Sequence, residues 1–378
     1  MNFGFTEEQD LLRKTARVFI DEQAPLAVAR GVLERGESHS ADLWRRFGEL
    51  GWTGLCAPES YGGAGLSLVE LCILVEELGR NLVPVPFVPH AIAAIAVLEL
   101  GSSVQRERIL PRLVSGESIA TICLPAVESS ADSVAAAPQG AGFRLQGVAR
   151  FVPDAASADL LIVHAIIGGK LGFFAIPRET RGVALRPLQA LDTLRPLYEV
   201  TFDRVEVPRD AWLGEGTTST AAIERLTDRA LVVISAEMLG GAERCLETSV
   251  QYAKERVQFG KPIGIHQAIK HKCADMLFAV EAARSITYYA AWAAREGRDD
   301  AGVFASMAKA TAGDAFRRAA GDNLQIHGGV GFTWEYDCHL LLRRARSDEA
   351  WLGGASFHRE RIARLGFGAA GGPAAHSA

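Results

Sequence analysis

Two short segments hold the residue types best suited to chemistry in this chain of 378 residues. One is Arg256-Val-Gln-Phe259-Gly260-Lys261-Pro262-Ile263, and the other is Gln325-Ile-His-Gly328-Gly329. A guanidinium pairs readily with anionic groups, and adjacent glycines let another molecule approach the backbone closely. Taken alone, Arg256 reads as a cation at a helix end and Gly328-Gly329 as a helix stop. Asp228 and Glu237, upstream of Arg256, read as exposed surface carboxylates. Glu335 and Asp337 precede Cys338-His-Leu-Leu-Leu-Arg-Arg and read as caps for a helix starting there. His266, His271, His327, His339 and His358 follow no metal-ligand spacing such as HExxH and read as polar surface or interface groups. The six cysteines are scattered, with no CxxC pair. They read as reduced, buried small hydrophobes of a cytosolic protein, so neither a metal site nor a catalytic thiol is expected.

The composition is that of an ordinary soluble globular protein, with 48% apolar and 22% charged residues. A net charge of −5 gives no reason to expect a nucleic-acid partner. The start, Met1-Asn-Phe-Gly-Phe-Thr-Glu-Glu, lacks a basic stretch followed by an apolar run, so no signal peptide is expected. The most apolar stretch, Ala91 to Leu100, is too short to span a bilayer, and a cytoplasmic location is expected.

The elements that must position these groups fall into three blocks. Residues 1–117 read as helical: Thr6-Glu7-Glu8 is a capping signal, and Leu11, Leu12, Ala16, Phe19 and Ile20 then recur at helical spacing. A helical segment starts at Trp44, the turn Pro58 to Gly65 breaks it, and a helix over Leu66 to Leu82 follows. Residues 118–214 change to short apolar runs punctuated by Gly, Pro, Asp or Asn, which predicts a small β-sandwich or barrel. From 215 to 366 long helices return. Ile269, Cys273, Met276, Val280 and Ala283 repeat at spacings of four, three, four and three, the seam of a packed bundle. Segments 221–256, 301–326 and 337–364 would complete four helices. The Gly- and Ala-rich tail, 367–378, is expected to be disordered.

Helices, then strands, then a four-helix bundle make an α+β layout that resembles the acyl-CoA dehydrogenase family over nearly the whole chain. Gly51-Trp-Thr-Gly-Leu-Cys-Ala-Pro58-Glu59-Ser-Tyr61-Gly62-Gly63-Ala-Gly65 is similar to that family's N-terminal signature, as is Val75-Glu76-Glu77-Leu78-Gly79. Val207-Pro208 with Leu213-Gly214 resembles the exit from its β domain. The resemblance implies FAD as cofactor and an acyl-CoA thioester as substrate. A carboxylate takes the α proton, the β hydrogen leaves as hydride to flavin, and an electron-transferring flavoprotein reoxidises the flavin. It further implies that Arg256 meets the FAD pyrophosphate and that Phe259 stacks near the cofactor. Gln267 sits eleven residues after Arg256, as in the family. Gln325, Gly328 and Gly329 match the loop that approaches the adenosine side. By the same resemblance, these groups reach a neighbouring subunit's FAD.

Other family features are missing. Where the catalytic glutamate is most often found, the chain reads Trp351-Leu352-Gly353, with Gly354 and Ser356 in place of the polar side chains that follow. The flavin-covering Trp-Ile-Thr is Phe151-Val152-Pro153, and a proline offers neither hydroxyl nor N–H. The Gly-Ser-Asp element is absent, replaced by Pro125-Ala-Val-Glu-Ser-Ser-Ala-Asp132. At the family's second base position stands Ala230, with Asp228 and Glu237 nearby on the helix and Asp348 and Glu349 as remoter candidates. No catalytic residue is therefore assigned. Groups serving a partner's FAD are kept and those serving the chain's own are degraded. The expectation is a companion subunit in a heteromeric dehydrogenase, a dimer or a two-plus-two tetramer, with a paralogous catalytic subunit. The alternatives are a homo-oligomeric dehydrogenase with a relocated base, or a flavin-dependent oxygenase or oxidase on the same fold.

Overall fold

The computed structural model describes residues 4–124, 133–216 and 219–367. The chain divides into two compact units, Met1–Thr227 and Asp228–Ala378. The first opens with six helices: α1 (Glu7–Gln23), α2 (Leu26–Glu34), α3 (Ala41–Glu49), α4 (Leu68–Arg80), α5 (Phe87–Leu100) and α6 (Ser103–Val114). Thr6, where the sequence predicts a cap, closes α1 through a reciprocal box with Gln9, and Ser67 with Glu70 does the same for α4. That second cap starts α4 two residues later than the predicted Leu66. Helix α1 buries only Ala16 and Ile20, so its seat on α4 relies also on ion pairs. Arg13 meets Glu76 at 3.1 Å, Arg17 meets Glu77 at 2.8 Å and Asp21 meets Arg80 at 2.8 Å. Phe19, Phe47, Trp52 and Phe87 pack edge to face around the core of this helical layer.

Seven strands follow: β1 (Ala120–Cys123), β2 (Val134–Gln139), β3 (Gly142–Pro153), β4 (Leu160–Ile167), β5 (Lys170–Pro177), β6 (Val183–Pro187) and β7 (Leu197–Pro208). They form one mixed sheet in the order β1-β4-β2-β3-β7-β6, with β5 also paired to β4. Strands β1 and β4 run parallel, whereas β3 and β7 pair antiparallel with register shifts between Leu145 and Gly147 and between Ala149 and Val152. The second shift lies beside Phe151, which is exposed and left-handed (φ 56°). The carbonyl of Pro153 accepts a hydrogen bond from the Thr121 hydroxyl at 2.7 Å. The Pro125–Asp132 stretch lies outside the described residues.

The second unit is helical. Helix α7 (Thr220–Glu255) begins in the first unit and runs into the second, a hairpin of β8 (Val257–Gln258) and β9 (Lys261–Pro262) follows, and then come α8 (Gln267–Arg295) and α9 (Ala301–His327). The fourth position of the bundle is filled by two helices, α10 (Cys338–Ala350) and α11 (Ala355–Phe367), not by the single segment 337–364 that the sequence predicts. The break follows from the backbone: Leu352 has φ 60° and Gly353 φ 99°, which no helix accommodates. Helix α11 runs to Phe367, one residue into the segment 367–378 expected to be a disordered tail, and 368–378 lie outside the described residues. Met276, Val280 and Ala283 of the predicted seam are buried, while Ile269 and Cys273 are only half-buried. No helix among the described residues is long and apolar enough to cross a membrane.

Candidate functional site

The second unit carries both chemically suggestive segments, and it brings them together at one end of the bundle. Helix α7 ends at Glu255, and Arg256 leads into a tight hairpin in which Phe259 (φ 51°) and Gly260 (φ 77°) both adopt left-handed backbone. That pair of positive φ values is the signature of the two-residue turn matching strand twist. The hairpin closes where the Ile263 amide donates to the Arg256 carbonyl at 2.8 Å. Helix α9 ends at His327, and Gly328 (φ 67°, ψ −145°) turns the chain into a short 3₁₀ segment, Gly328–Phe332. The two ends meet through Tyr252, one turn before Arg256. Its ring stacks on His327 with centroids 4.1 Å apart and planes 23° from parallel. Tyr336 packs edge-on against both, at 6.2 Å from Tyr252 and 5.8 Å from His327.

All six residues singled out by the sequence are exposed: Arg256, Phe259, Gln267, Gln325, Gly328 and Gly329. Phe259 is 97% exposed at the hairpin tip. Among the described residues, no carboxylate pairs with the Arg256 guanidinium, and the side chains of Gln267 and Gln325 make no hydrogen bond. Gln267 opens α8, just beyond the Ile263 amide that ties the hairpin to Arg256. A Cβ built on Gly328 or Gly329 meets no other atom within 4 Å. Gly328 is required by its backbone angles, but nothing in the chain's own packing requires a glycine at 329. Phe332 and Trp334, just beyond the glycine turn, are also exposed, which leaves uncovered aromatic surface beside it. The sequence reading missed Tyr252 and Tyr336. Tyr252 lies on the same helix face as Arg256, four residues away, which is the only signal a sequence offers.

The carboxylates expected at the surface are buried, and each is paired with an arginine from another helix. The middle of α7, Ala230 to Leu239, is enclosed on every side, so an acid there must find a partner. Glu237 pairs with Arg344 at 3.0 Å and Asp228 with Arg361 at 2.6 Å. Asp348 is fully buried as well. His327, His339 and His358 are buried too, contrary to a surface role, while His266 and His271 are exposed. Asp337 occupies the N-cap position of α10, but its side chain makes no capping bond. Its near-helical backbone (φ −90°, ψ −4°) turns the carboxylate away from the amides that an extended cap residue would reach.

The loop that joins α10 to α11 is wired to buried polar groups. The Lys309 ammonium donates to the carbonyls of Glu349 at 3.1 Å and Gly353 at 3.0 Å, and burial lowers its pKa to about 8. His358 bonds the Leu352 carbonyl at 3.0 Å; since a carbonyl only accepts, Nε2 carries the proton. Desolvation, with Lys309 nearby, pushes the His358 pKa down to about 4. Among the described residues no group of three or more His, Cys, Asp or Glu side chains is placed to hold a metal. The cysteines are free, and Cys72, Cys123, Cys245 and Cys338 are buried.

Comparison with known proteins places this architecture. The model of the acyl-CoA dehydrogenase N-terminal domain matches residues 6–117, and that of the C-terminal domain matches residues 219–366. An acyl-CoA dehydrogenase of Bacillus subtilis is 32% identical over 95% of this chain and 98% of its own length. The chain belongs to the acyl-CoA dehydrogenase family, whose enzymes are oxidoreductases. Among solved structures, the Tcur3481-Tcur3483 steroid ACAD G363A variant is 33% identical, with TM-score 0.88 over 97% of this chain and 99% of that one. The ChsE4-ChsE5 complex from Mycobacterium tuberculosis is 29% identical, with TM-score 0.91 over 99% and 100%.

Proposed function

We propose that this chain is the companion subunit of a heteromeric, FAD-dependent acyl-CoA dehydrogenase, and that its second unit supplies contacts to FAD bound mainly by a paralogous catalytic subunit. The observation that carries this reading is the exposure of Arg256, Phe259, Gln267, Gln325, Gly328 and Gly329: among the described residues no ion pair or side-chain hydrogen bond engages the first four, and the space over both glycines is open. These groups fit such a ligand. An unpaired guanidinium suits a pyrophosphate, and the open space over Gly329 suits a close-lying adenosine. Phe259 adds an apolar face beside them.

When bound, the flavin accepts the hydride that leaves the acyl β-carbon. The chain's own residues hold and orient; none of them takes the α proton. Leu352 has no titrating group where the family glutamate is expected. Glu237 is committed to the buried Arg344 and Asp228 to the half-buried Arg361, which weighs against a relocated base. The partner subunit would bring the carboxylate, and an electron-transferring flavoprotein would remove the electrons. Bulky CoA esters, steroid side chains among them, are the proposed substrate class on analogy with the relatives above. A cytoplasmic dimer or two-plus-two tetramer completes the reading.

The test is FAD content, by visible absorbance, of the chain purified alone and co-purified with a paralogous subunit. Little flavin alone and bound flavin with the partner is the expected result. Stoichiometric FAD in the isolated chain overturns the split-site reading.

A further inference from the structure

We infer that Tyr252 is a positioning residue that makes the Arg256 hairpin and the Gly328-Gly329 turn a single rigid arm. This rests on the reading above, that both segments face one FAD. The hairpin closes on itself through its own backbone bonds, but every residue from Val257 to Pro262 is exposed. A loose hairpin would place the Arg256 guanidinium at no fixed distance from the glycine turn. A charge on a mobile strap loses in ordering what it gains in contact. The arm therefore needs an internal reference, and the structure contains one at its root.

Tyr252 is half-buried and touches both sides. Its carbonyl accepts the Arg256 amide at 2.8 Å, continuing the helix to the first residue of the hairpin. Its ring covers His327, the residue before Gly328, at 4.1 Å, and its hydroxyl makes a long hydrogen bond, 3.5 Å, to the His327 carbonyl. His327 is itself fixed. Its Nδ1 lies 2.8 Å from the Asn323 carbonyl, so that nitrogen carries the proton and the imidazole is held in one orientation. Asn323 is fully buried, and its side-chain oxygen accepts from Ser249 at 2.9 Å and Thr248 at 3.2 Å, both one turn before Tyr252 on α7. The ends of α7 and α9 are thus tied at two successive levels, by an amide below and by a ring stack above. Tyr336 leans on the stack from the third side and fixes the exit of the 3₁₀ segment.

The stack and the hydroxyl make separable contributions, which permits a clean test. Tyr252→Phe keeps the ring on His327, whereas Tyr252→Leu removes it. Hydrogen exchange on the full chain reads the coupling directly, without flavin. In Tyr252→Leu, amides of 256–263 and of 328–332 should both exchange at least about tenfold faster, and in Tyr252→Phe they should match the wild type within about twofold. Faster exchange in only one segment, or in neither, overturns the inference. FAD affinity of the reconstituted complex, by flavin fluorescence, reads the consequence: about tenfold weaker in Tyr252→Leu and rescued in Tyr252→Phe. Unchanged affinity in a loosened arm would show that its rigidity is irrelevant to the flavin. Arg256→Ala in the same complex separates the two ideas. If it retains FAD with full affinity, the split-site reading fails, while the exchange data still decide whether Tyr252 couples the segments.

Discussion

The Nζ of Lys309 lies 3.0 Å from the Gly353 carbonyl, so a buried ammonium holds the loop where family relatives are expected to keep a carboxylate base. This contact stabilises a left-handed pair, Leu352 and Gly353, that would otherwise be strained. It also carries a cost, because the ammonium is almost fully withdrawn from water.

The cost has a definite pH signature. Burial lowers the Lys309 pKa from an ordinary 10.5 to about 8, so the folded state prefers the neutral amine. Below the folded value the penalty is complete, and it is relieved as pH rises through the window from about 8 toward 10.5. The wild type should gain stability relative to Lys309→Met across that window, by an amount on the order of 3 kcal/mol. Urea unfolding of both proteins at about pH 7 and about pH 10 measures it. A stability difference that stays constant between the two conditions would refute the assignment.

The Glu237–Arg344 pair makes a second prediction. Both side chains are buried, at 5% and 3% exposure, so removing one leaves a charge without its partner. Arg344→Met should cost about 3–5 kcal/mol, whereas the double variant Glu237→Leu, Arg344→Met should recover most of that loss. Thermal melts of the single and double variants decide it. A double variant no more stable than the single one would show that the apolar pair does not pack.

These pairs also mark the limit of what a sequence shows. The helical blocks, the capping signal at Thr6, Arg256 at a helix end and the helix stop at Gly328-Gly329 could be read from local pattern, because capping, periodicity and turn chemistry act over a few residues. Strand β2, Val134-Ala-Ala-Ala-Pro-Gln, could not, since alanine and proline are poor strand formers and it is pairing with β3 and β4 that holds it extended. Asp228 and Glu237 looked exposed because their arginines lie 133 and 107 residues away. The break at Leu352 is announced by Gly353-Gly354, a helix-stop signal the sequence reading passed over, but the Lys309 that stabilises it comes from another helix. Tyr252 and His327 are 75 residues apart, so their stack is invisible until the bundle closes.

Thiol reactivity should follow burial. Desolvation raises the Cys123 pKa to about 12 and the Cys338 pKa to about 11, and it holds Cys72 and Cys245 well above their ordinary value. The thiolate is the reacting species, so these four should be inert in the folded chain. Cys56 and Cys273 are half-buried and should label first with a disulfide reagent at neutral pH. All six free thiols should react once denaturant is added. Rapid labelling of Cys245 in the native chain would contradict the packing around α7.

The glycines offer a last contrast between folding and function. At Gly241 a Cβ would stand 2.3 Å from the Phe316 ring, inside a buried contact of α7. Gly241→Ala should therefore destabilise the chain by about 1–3 kcal/mol through overpacking. At Gly329 a Cβ would meet nothing within 4 Å. Gly329→Ala should leave the melting temperature of the isolated chain within about 2 °C of the wild type, yet weaken FAD retention in the assembled complex. Calorimetry of the chain and flavin absorbance of the complex test the two halves independently. If Gly329→Ala retains flavin as the wild type does, the open space over that residue is not where the adenosine lies, and the case for an outward-facing cofactor arm would rest on Arg256 and the other exposed groups around it.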